Sequence, residues 1–384
     1  MGQGALYPAG ELTACGDTDY LNPLPTKPYR FVSRVIMFMK MERTGKPTIN
    51  DVARIAGVSK KTVSRVINRS PLLNGDTRAK VEQVIADLGY VPNVQARALA
   101  LRRNFLIGLI HDNPNAQMVM NVQAGMLEAM RDTEFELIVR PIDRGSSTML
   151  EDVRNFLERQ RLYGVMFLPP VSENEMVAEL CRELGIRFVR MGSATLDSPE
   201  HMVASNDCDV VTEAVNHLIA LGHRRIGLIA GPHGFRSARE RRKGFENALE
   251  AAGIKLPRSL IADGNYTFET GLAAADRLLD LSPRPTAIFC SNDEMAAAAL
   301  HAARRRGMSV PEDLSLVGFD DTAIASHIWP PLTTVHWPII SMARSAALKL
   351  LADFFGDDGN AVEEPSLFPS TLIHRASVAP PRDG

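Results

Sequence analysis

From Phe105 onward, short apolar runs alternate with helix-length stretches, and this alternation limits the possible folds more than any other feature of the chain. The runs are "FLIGLIHD", "FELIVRPID", "YGVMFLPP", "RFVRMG", "RRIGLIAGP", "LIADGNY", "TAIFCSND" and "LSLVGFDD". They recur roughly every 25 to 35 residues, the length of one strand plus its return helix. They form two sets, before and after "MVASND" (Met202 to Asp207). The pattern predicts two doubly wound α/β lobes with parallel sheets. Ligands of such sheets sit at the carboxyl ends of the strands. The strand ends here are polar: His111, Asp112 and Asn113; Asp143; Asn292 and Asp293; Asp320 and Asp321. Acid and amide groups there suit a polyhydroxylated small molecule in a cleft between the lobes. Asn and Asp also cap helices, so each of these residues keeps a structural reading as well.

Upstream of the lobes the charge changes sign. Residues 46–104 hold 11 Lys and Arg against four Asp and Glu, a surplus of seven positive charges. The whole chain has a net charge of -2, so the remainder carries a surplus of nine negative charges. A basic module on an acidic body points to a polyanionic partner. In "PTINDVARIAG", Thr48 followed by Asp51 is a variant of the capping box. Ile49, Val52, Ala53 and Ala56 form one apolar helix face, and Gly57 supplies a left-handed stop. Ser59 caps a second helix whose buried stripe is Val63, Val66 and Ile67. A third helix, capped by Asn74 and ended by Gly89, repeats the pattern with Val81, Val84, Ile85 and Leu88. Two short helices joined by a Gly-containing turn make a helix-turn-helix. Residues at the start of its second helix reach base edges in the major groove, and Lys and Arg donate to guanine O6 and N7. Lys60, Lys61 and Arg65 occupy that place. Ser59, Thr62, Ser64 and the helix N-terminus suit phosphates, which position without specifying.

The next segment, "YVPNVQARALALRRN", reads as a short helix that orders only on a partner, because helices of this length are marginal in water. Pro92 blocks the preceding helix, and Asn93 can cap the new one. Residues 1–45 are rich in Gly and Pro without periodicity and read as a disordered extension. Met41 is an alternative start, which N-terminal sequencing of the native protein tests. Cys15, Cys181, Cys208 and Cys290 are widely spaced, which fits reduced thiols rather than a disulfide framework or a zinc site. No apolar run approaches the roughly 20 residues that span a bilayer. "FVSRVIMFM" is short, interrupted by Arg34 and lacks a following cleavage site, so it is not read as a signal peptide.

Enzyme signatures are missing from the sequence. "GLIAGPHG" is Gly-rich after a strand but is neither G-x-G-x-x-G nor a phosphate-binding loop. There is no G-x-S-x-G elbow and no H-E-x-x-H. The competing readings are a sugar-binding module of periplasmic-binding-protein type and a carbohydrate-active enzyme without DNA regulation. Either leaves the basic module unexplained.

The run from Thr48 to Ala100, with the phrase "DVARIAGVSKKTVSRVIN", resembles the headpiece of the lactose-repressor/galactose-repressor (LacI/GalR) family. "ALGHRRIGLIAG", "CSNDEMA", "LSLVGFDD" and "PPLTTV" resemble the effector domain of the same family, itself similar to periplasmic sugar-binding proteins. The resemblance implies an all-α helix-turn-helix headpiece over 46–92, a hinge helix over 93–104 and a two-lobed effector-binding core over 105–384. Within the core it implies a first lobe of about 105–204 plus 335–357 and a second of about 205–334 plus 358–378. Lys60, Lys61 and Arg65 match base-reading positions. Thr48, Asn68, Tyr90 and Asn93 join Ser59, Thr62 and Ser64 as phosphate-positioning candidates. Leu99 matches a wedge inserted into the minor groove. Arg239, Asn292 and Asp320 match effector contacts, Tyr266 matches a stacking aromatic with Phe268 close by, and Asp112 and Asn113 lie in a pocket loop. Arg190 departs from the apolar residue common at its position; in the pocket it would suit an unusual or acidic sugar derivative. The implied function is a transcription regulator, a repressor of carbohydrate-metabolism genes controlled by a sugar or sugar derivative. No catalytic residue, metal or cofactor is implied. A homodimer on a near-palindromic double-stranded operator is the minimum assembly, with no membrane and a cytoplasmic, nucleoid-associated location. The Met-rich helix around Met118 to Met130 suits either the dimer interface or the core. The tail "ASVAPPRDG" has no heptad run, so no tetramerising coil is expected.

Overall fold

A computed structural model describes residues 46–67, 73–91, 104–113, 115–355 and 364–382. The expectations for the 1–45 extension, Asn68, Asn93, Leu99 and the hinge lie outside the described residues. The described residues fall into two compact units, 46–91 and 104–382.

In the first unit, α1 (Ile49–Ala56), α2 (Lys60–Ile67) and α3 (Gly75–Leu88) close their apolar stripes on one another. Val52, Ala56, Val63 and Val81 are fully buried at the centre, with Ile49, Ile67, Val84, Ile85, Leu88 and Tyr90 packed around them. The helix ends follow from their side chains. The Thr48 backbone N–H and hydroxyl both donate to the Asp51 carboxylate, at 3.1 and 2.7 Å. Gly57 ends α1 at φ 66°, a left-handed conformation that a Cβ disfavours. Ser59 Oγ accepts the Thr62 backbone N–H at 3.1 Å and opens α2. Asn74 does the same for α3 by accepting from the Asp76 N–H at 3.1 Å.

The second unit contains two lobes. The first runs β1 (Leu106–His111), α4 (Ala116–Ala129), β2 (Glu136–Pro141), α5 (Met149–Gln160), β3 (Gly164–Phe167), α6 (Glu175–Leu184), β4 (Arg187–Gly192) and β5 (Met202–Ser205). The second runs α7 (Asp207–Ala220), β6 (Ile226–Ala230), α8 (Arg236–Ala251), β7 (Ile261–Asp263), α9 (Phe268–Leu279), β8 (Ala287–Cys290), α10 (Asp293–Arg305), β9 (Ser315–Asp320), α11 (Ala323–His327) and β10 (Thr333–His336). Then α12 (Ile339–Phe355) returns to the first lobe, β11 (Leu367–Phe368) joins its sheet, and β12 (Thr371–Ile373) joins the other. The orders are β2-β1-β3-β4-β5-β11 and β7-β6-β8-β9-β10-β12. All pairs are parallel except β10 with β12. Strands β3, β5, β6 and β8 are buried along their whole length, as parallel strands covered on both faces must be.

Two of the lobe boundaries expected from the sequence need correction. The second lobe extends through His336, because Thr333 to His336 pair with Val317 to Asp320 of β9. The first lobe reclaims Leu367 and Phe368, which pair with Ala204 and Ser205. Between these points α12 lies against α4 so closely that a Cβ at Gly125 would overlap the Ile340 carbonyl. The Met-rich helix divides its side chains. Met118 and Met126, with Met130 just beyond the helix end, are buried, and Met120 and Leu127 are exposed.

Candidate functional site

The helix-turn-helix unit offers one surface. Lys60, Lys61 and Arg65 are exposed on α2, and no acidic residue lies in the first turn of that helix. Its free N–H groups and two lysines therefore leave a strongly positive helix start. The polar residues around it are partly committed: Ser59 and Thr62 share a hydroxyl–hydroxyl bond of 2.9 Å, and Thr48 is held by Asp51. Ser64 is half-buried, and the Tyr90 ring packs on the core. The cations, in contrast, are free to meet an anion; among the described residues none of the three has an ion pair.

The second site is the cleft between the lobes. It is lined by Asn113, Asn115, Met118, Pro169 and Ser193 from the first lobe, and by Phe235, Ser237, Arg241, Tyr266, Asn292 and Asp320 from the second. Trp337, just past β10, completes it. These are ends of parallel strands and the helix starts that follow them, the place the topology reserves for ligands. Asn292 caps α10 by accepting the Met295 N–H at 3.0 Å, and its amide donates to the Tyr266 carbonyl at 3.0 Å. It is both a cap and part of the wall. Asn113 accepts from the Asn115 N–H at 2.9 Å and donates to the Pro169 carbonyl at 3.2 Å. Tyr266 adopts φ 61°. Its hydroxyl pairs with Ser237 Oγ at 3.1 Å, and its ring meets Phe235 edge-on at 5.7 Å.

Arg241 organises the floor. Its Nε donates to Asp207 at 2.8 Å and its Nη1 to the Ser291 carbonyl at 2.5 Å, with Asp320 Oδ1 at 3.6 Å. The guanidinium carbon lies 3.5 Å from the centre of the Phe319 ring. Burial works against its charge, but Asp207, Tyr266 and Asp320 hold the guanidinium above the ordinary arginine range. Burial also pushes the Asp320 carboxyl up to about 8; Arg241 opposes the rise, and Asp293 and Asp207 add to it. Asp293 is pushed to about 6 by burial, against hydrogen bonds from the Thr334 hydroxyl and from the Thr322 N–H and hydroxyl.

Asn113, Tyr266, Asn292 and Asp320 thus meet at one cavity. Four other candidates do not line it. Arg239 is exposed and reaches the His233 carbonyl at 3.4 Å. With 3.6 residues per turn, two positions along a helix put a side chain on the opposite face, so Arg241 is the pocket arginine. Arg190 is 3% exposed and turns away. Its guanidinium bonds Ser172 O at 2.6 Å, Glu175 at 2.8 Å and Asp197 at 3.2 Å, because a buried cation requires partners and α6 and the loop after β4 supply them. Phe268, the first residue of α9, packs on His301 at 6.0 Å; Phe235 takes the pocket position. Asp112 sits in an outer hollow with His111, Arg144 and Asn265 and pairs with Arg144 at 3.7 Å. That hollow shares Asn113 and Phe235 with the inner cavity. Sequence reasoning missed Phe235, Arg241 and Trp337; only the alternation of faces along α8 pointed to the second of these. Among the described residues no three His, Cys, Asp or Glu side chains could hold a metal ion. No described helix is long and apolar enough to cross a membrane.

A helix-turn-helix unit joined to two parallel-sheet lobes around a polar cleft defines a DNA-binding regulator with a ligand-binding domain. Residues 48–93 match the family of bacterial regulatory proteins, lacI family, and residues 215–378 match the periplasmic binding protein-like domain. The chain is 36% identical over 321 residues to the HTH-type transcriptional regulator CelR of Thermobifida fusca, covering 82% of this chain and 93% of CelR. It is 33% identical over 311 residues to the probable HTH-type transcriptional repressor ExuR of Bacillus subtilis (strain 168), covering 79% and 91%. A crystal structure of the lac repressor dimer bound to operator and the anti-inducer ONPF matches with a TM-score of 0.72 at 29% identity, over 87% of this chain and all of that one. A CelR–cellobiose complex matches with a TM-score of 0.62 at 31% identity, over 86% and 99%. The chain belongs to the lacI family of bacterial regulatory proteins.

Proposed function

We propose that this protein is a transcription regulator, a repressor of carbohydrate-metabolism genes whose operator affinity is set by a sugar or sugar derivative in the interlobe cleft. One observation carries the reading. A single chain presents free cations on the second helix of a helix-turn-helix and encloses a cleft built on Arg241, Asn292 and Asp320. Lys60, Lys61 and Arg65 read base edges, while Thr48, Ser59, Thr62, Ser64, Asn68, Tyr90 and Asn93 position the duplex. Leu99 wedges the minor groove from a hinge helix that forms on DNA. Two copies are required, because two half-sites of a near-palindrome must be read at fixed spacing. The lac repressor dimer on its operator and CelR with cellobiose supply the precedents. The working location is the cytoplasm, on the nucleoid.

Control is by linkage. An effector that bridges the lobes prefers one lobe orientation, and that preference favours or disfavours the hinge helices. The test starts from binding-site selection with the full chain and random duplexes, followed by anisotropy on the recovered site with and without candidate sugars. A regulator binds a near-palindrome, changes its affinity when sugar is added and returns the sugar unchanged. A carbohydrate-active enzyme would consume the sugar. A sugar-binding module would leave heparin at low salt and select no sequence.

A further inference from the structure

Two buried polar atoms on residues that line the cleft have no hydrogen-bond partner among the described residues. They are Nε1 of Trp337 and Oγ of Ser193. Trp337 is 8% exposed and Ser193 4%. Of the orphaned polar atoms among the described residues, only these two belong to residues that line the cleft. Ser193 follows β4 in the first lobe, and Trp337 follows β10, where the chain crosses back from the second. Native structures rarely keep a buried donor unpaired, and orphans on a cavity wall mark where a ligand's polar atoms belong.

The charge of the lining narrows what that ligand is. Arg241 is the sole cation among the lining residues. Two carboxylates face it, Asp207 at 2.8 Å and Asp320 at 3.6 Å. The inner cavity therefore has no surplus positive charge. Arg190 is spent on Glu175 and Asp197, and Arg144, in the outer hollow, pairs with Asp112. A hydroxyl group can accept from an indole N–H and donate to a carboxylate at the same time. A carboxylate or phosphate on the ligand can only accept, so beside Asp320 it would require that carboxyl to stay protonated, whereas a hydroxyl can pair with either form.

We infer that Trp337 and Ser193 are effector-binding residues, the indole donating to one ligand oxygen and the Ser193 hydroxyl pairing with another, and that the effector is an uncharged sugar or glycoside. The inference rests on reading the cleft as a sugar-effector site, and it excludes sugar acids and sugar phosphates as the preferred ligand. The chain has two tryptophans, and Trp329 is 75% exposed, so Trp329→Phe leaves Trp337 as the single reporter.

The test titrates the full-length W329F protein with cellobiose, glucose and ribose, and separately with glucuronate, galacturonate and glucose 6-phosphate. Tryptophan emission and calorimetry are followed together. A neutral sugar should saturate and shift the Trp337 emission. By calorimetry, Trp337→Phe should weaken that sugar about tenfold and Ser193→Ala about threefold or more, the size of one lost neutral hydrogen bond. Thermal melts establish that each variant is folded, and Ser193→Ala stands by itself if the larger change is not tolerated. A sugar acid or phosphate binding as tightly as its neutral counterpart overturns the inference and leaves the sugar-controlled regulator standing. A neutral sugar that binds both variants with unchanged affinity overturns the assignment of the two residues. Absence of binding by every compound removes the sugar-effector reading and this inference together.

Discussion

Asp320 ends β9 at φ 108°, and Asp321 follows at 55°. Consecutive left-handed residues with side chains cost about 1–3 kcal/mol each unless their surroundings enforce them. Asp293 enforces them from within, accepting the Thr322 N–H at 2.7 Å and the Thr334 hydroxyl at 2.5 Å. From outside, Arg375 and His336 hold the Asp321 carboxylate at 2.6 and 3.0 Å. Asp320 is thereby fixed beside Arg241, with Asp207, Asp293 and Glu294 as its other charged neighbours. Its carboxyl is raised from the ordinary 3.8 to about 8, so its protonated form favours the fold, and that contribution fades as pH rises toward 8. Ligand hydroxyls donating to it favour the ionised form. Effector binding should therefore release a proton near neutral pH and strengthen as pH rises toward about 8. Calorimetry in buffers of different ionisation heat measures this release, and Asp320→Asn should abolish it; a buffer-independent heat for the native protein contradicts it. On α2, Lys61→Ala or Arg65→Ala should each remove about 1–3 kcal/mol of discrimination between operator and a mutated site. Equal losses on operator and random DNA in anisotropy titrations would make them phosphate contacts only.

Elements were legible where one local signal sufficed. The three headpiece helices carry their caps and apolar stripes in consecutive residues, and Thr48, Gly57, Ser59, Asn74 and Gly89 act where they stand. The eight apolar runs all became strands, β1 to β4 and β6 to β9. The four strands not recognised have weak local signals. β5 is "MVAS", β11 has two residues, and β12 has three. β10 is "TTVH", whose buried Thr333 and Thr334 are stabilised by bonds to the Arg375 N–H and Asp293. Nothing near Thr334 in sequence announces those partners. Arg190 shows the same limit. Its run "RFVRMG" predicts a strand, but only the packing of α6 decides which side receives the guanidinium. Arg190→Met should lower stability by about 1–3 kcal/mol by leaving the Ser172 and Leu196 carbonyls without a donor. Thermal melting checks the loss, and ligand preference should not change.

Across the whole molecule the cleft is fastened at its mouth. Both carboxylate oxygens of Glu173, in the first lobe, accept the Arg236 N–H at the start of α8 in the second, at 2.9 and 3.0 Å. The Arg144 guanidinium lies 5.3 Å from the centre of the Phe235 ring across the same gap. An anionic group at a helix start is favourable, so Glu173→Ala should loosen closure and lower effector affinity by about 1–3 kcal/mol. Small-angle scattering of the ligand-free protein should show a larger mean radius; unchanged scattering and affinity would mean the contact is incidental. Linkage adds a quantitative check: the factor by which effector changes operator affinity must equal the factor by which operator changes effector affinity. Leu99→Ala should weaken operator binding and reduce the bend seen in a circular-permutation gel shift, and an unaltered bend would dismiss the wedge.

Architecture and family were written into short-range patterns: helix stripes, caps, and the beat of strand and helix, each set by neighbours within a few residues. The identity of the pocket was not. Arg241 rather than Arg239, Phe235 rather than Phe268, and the unpaired Trp337 and Ser193 follow from which helix face and which strand end turn toward a cavity shared by two lobes. Those directions arise only when segments more than a hundred residues apart pack together, because burial and charge pairing are settled among spatial neighbours.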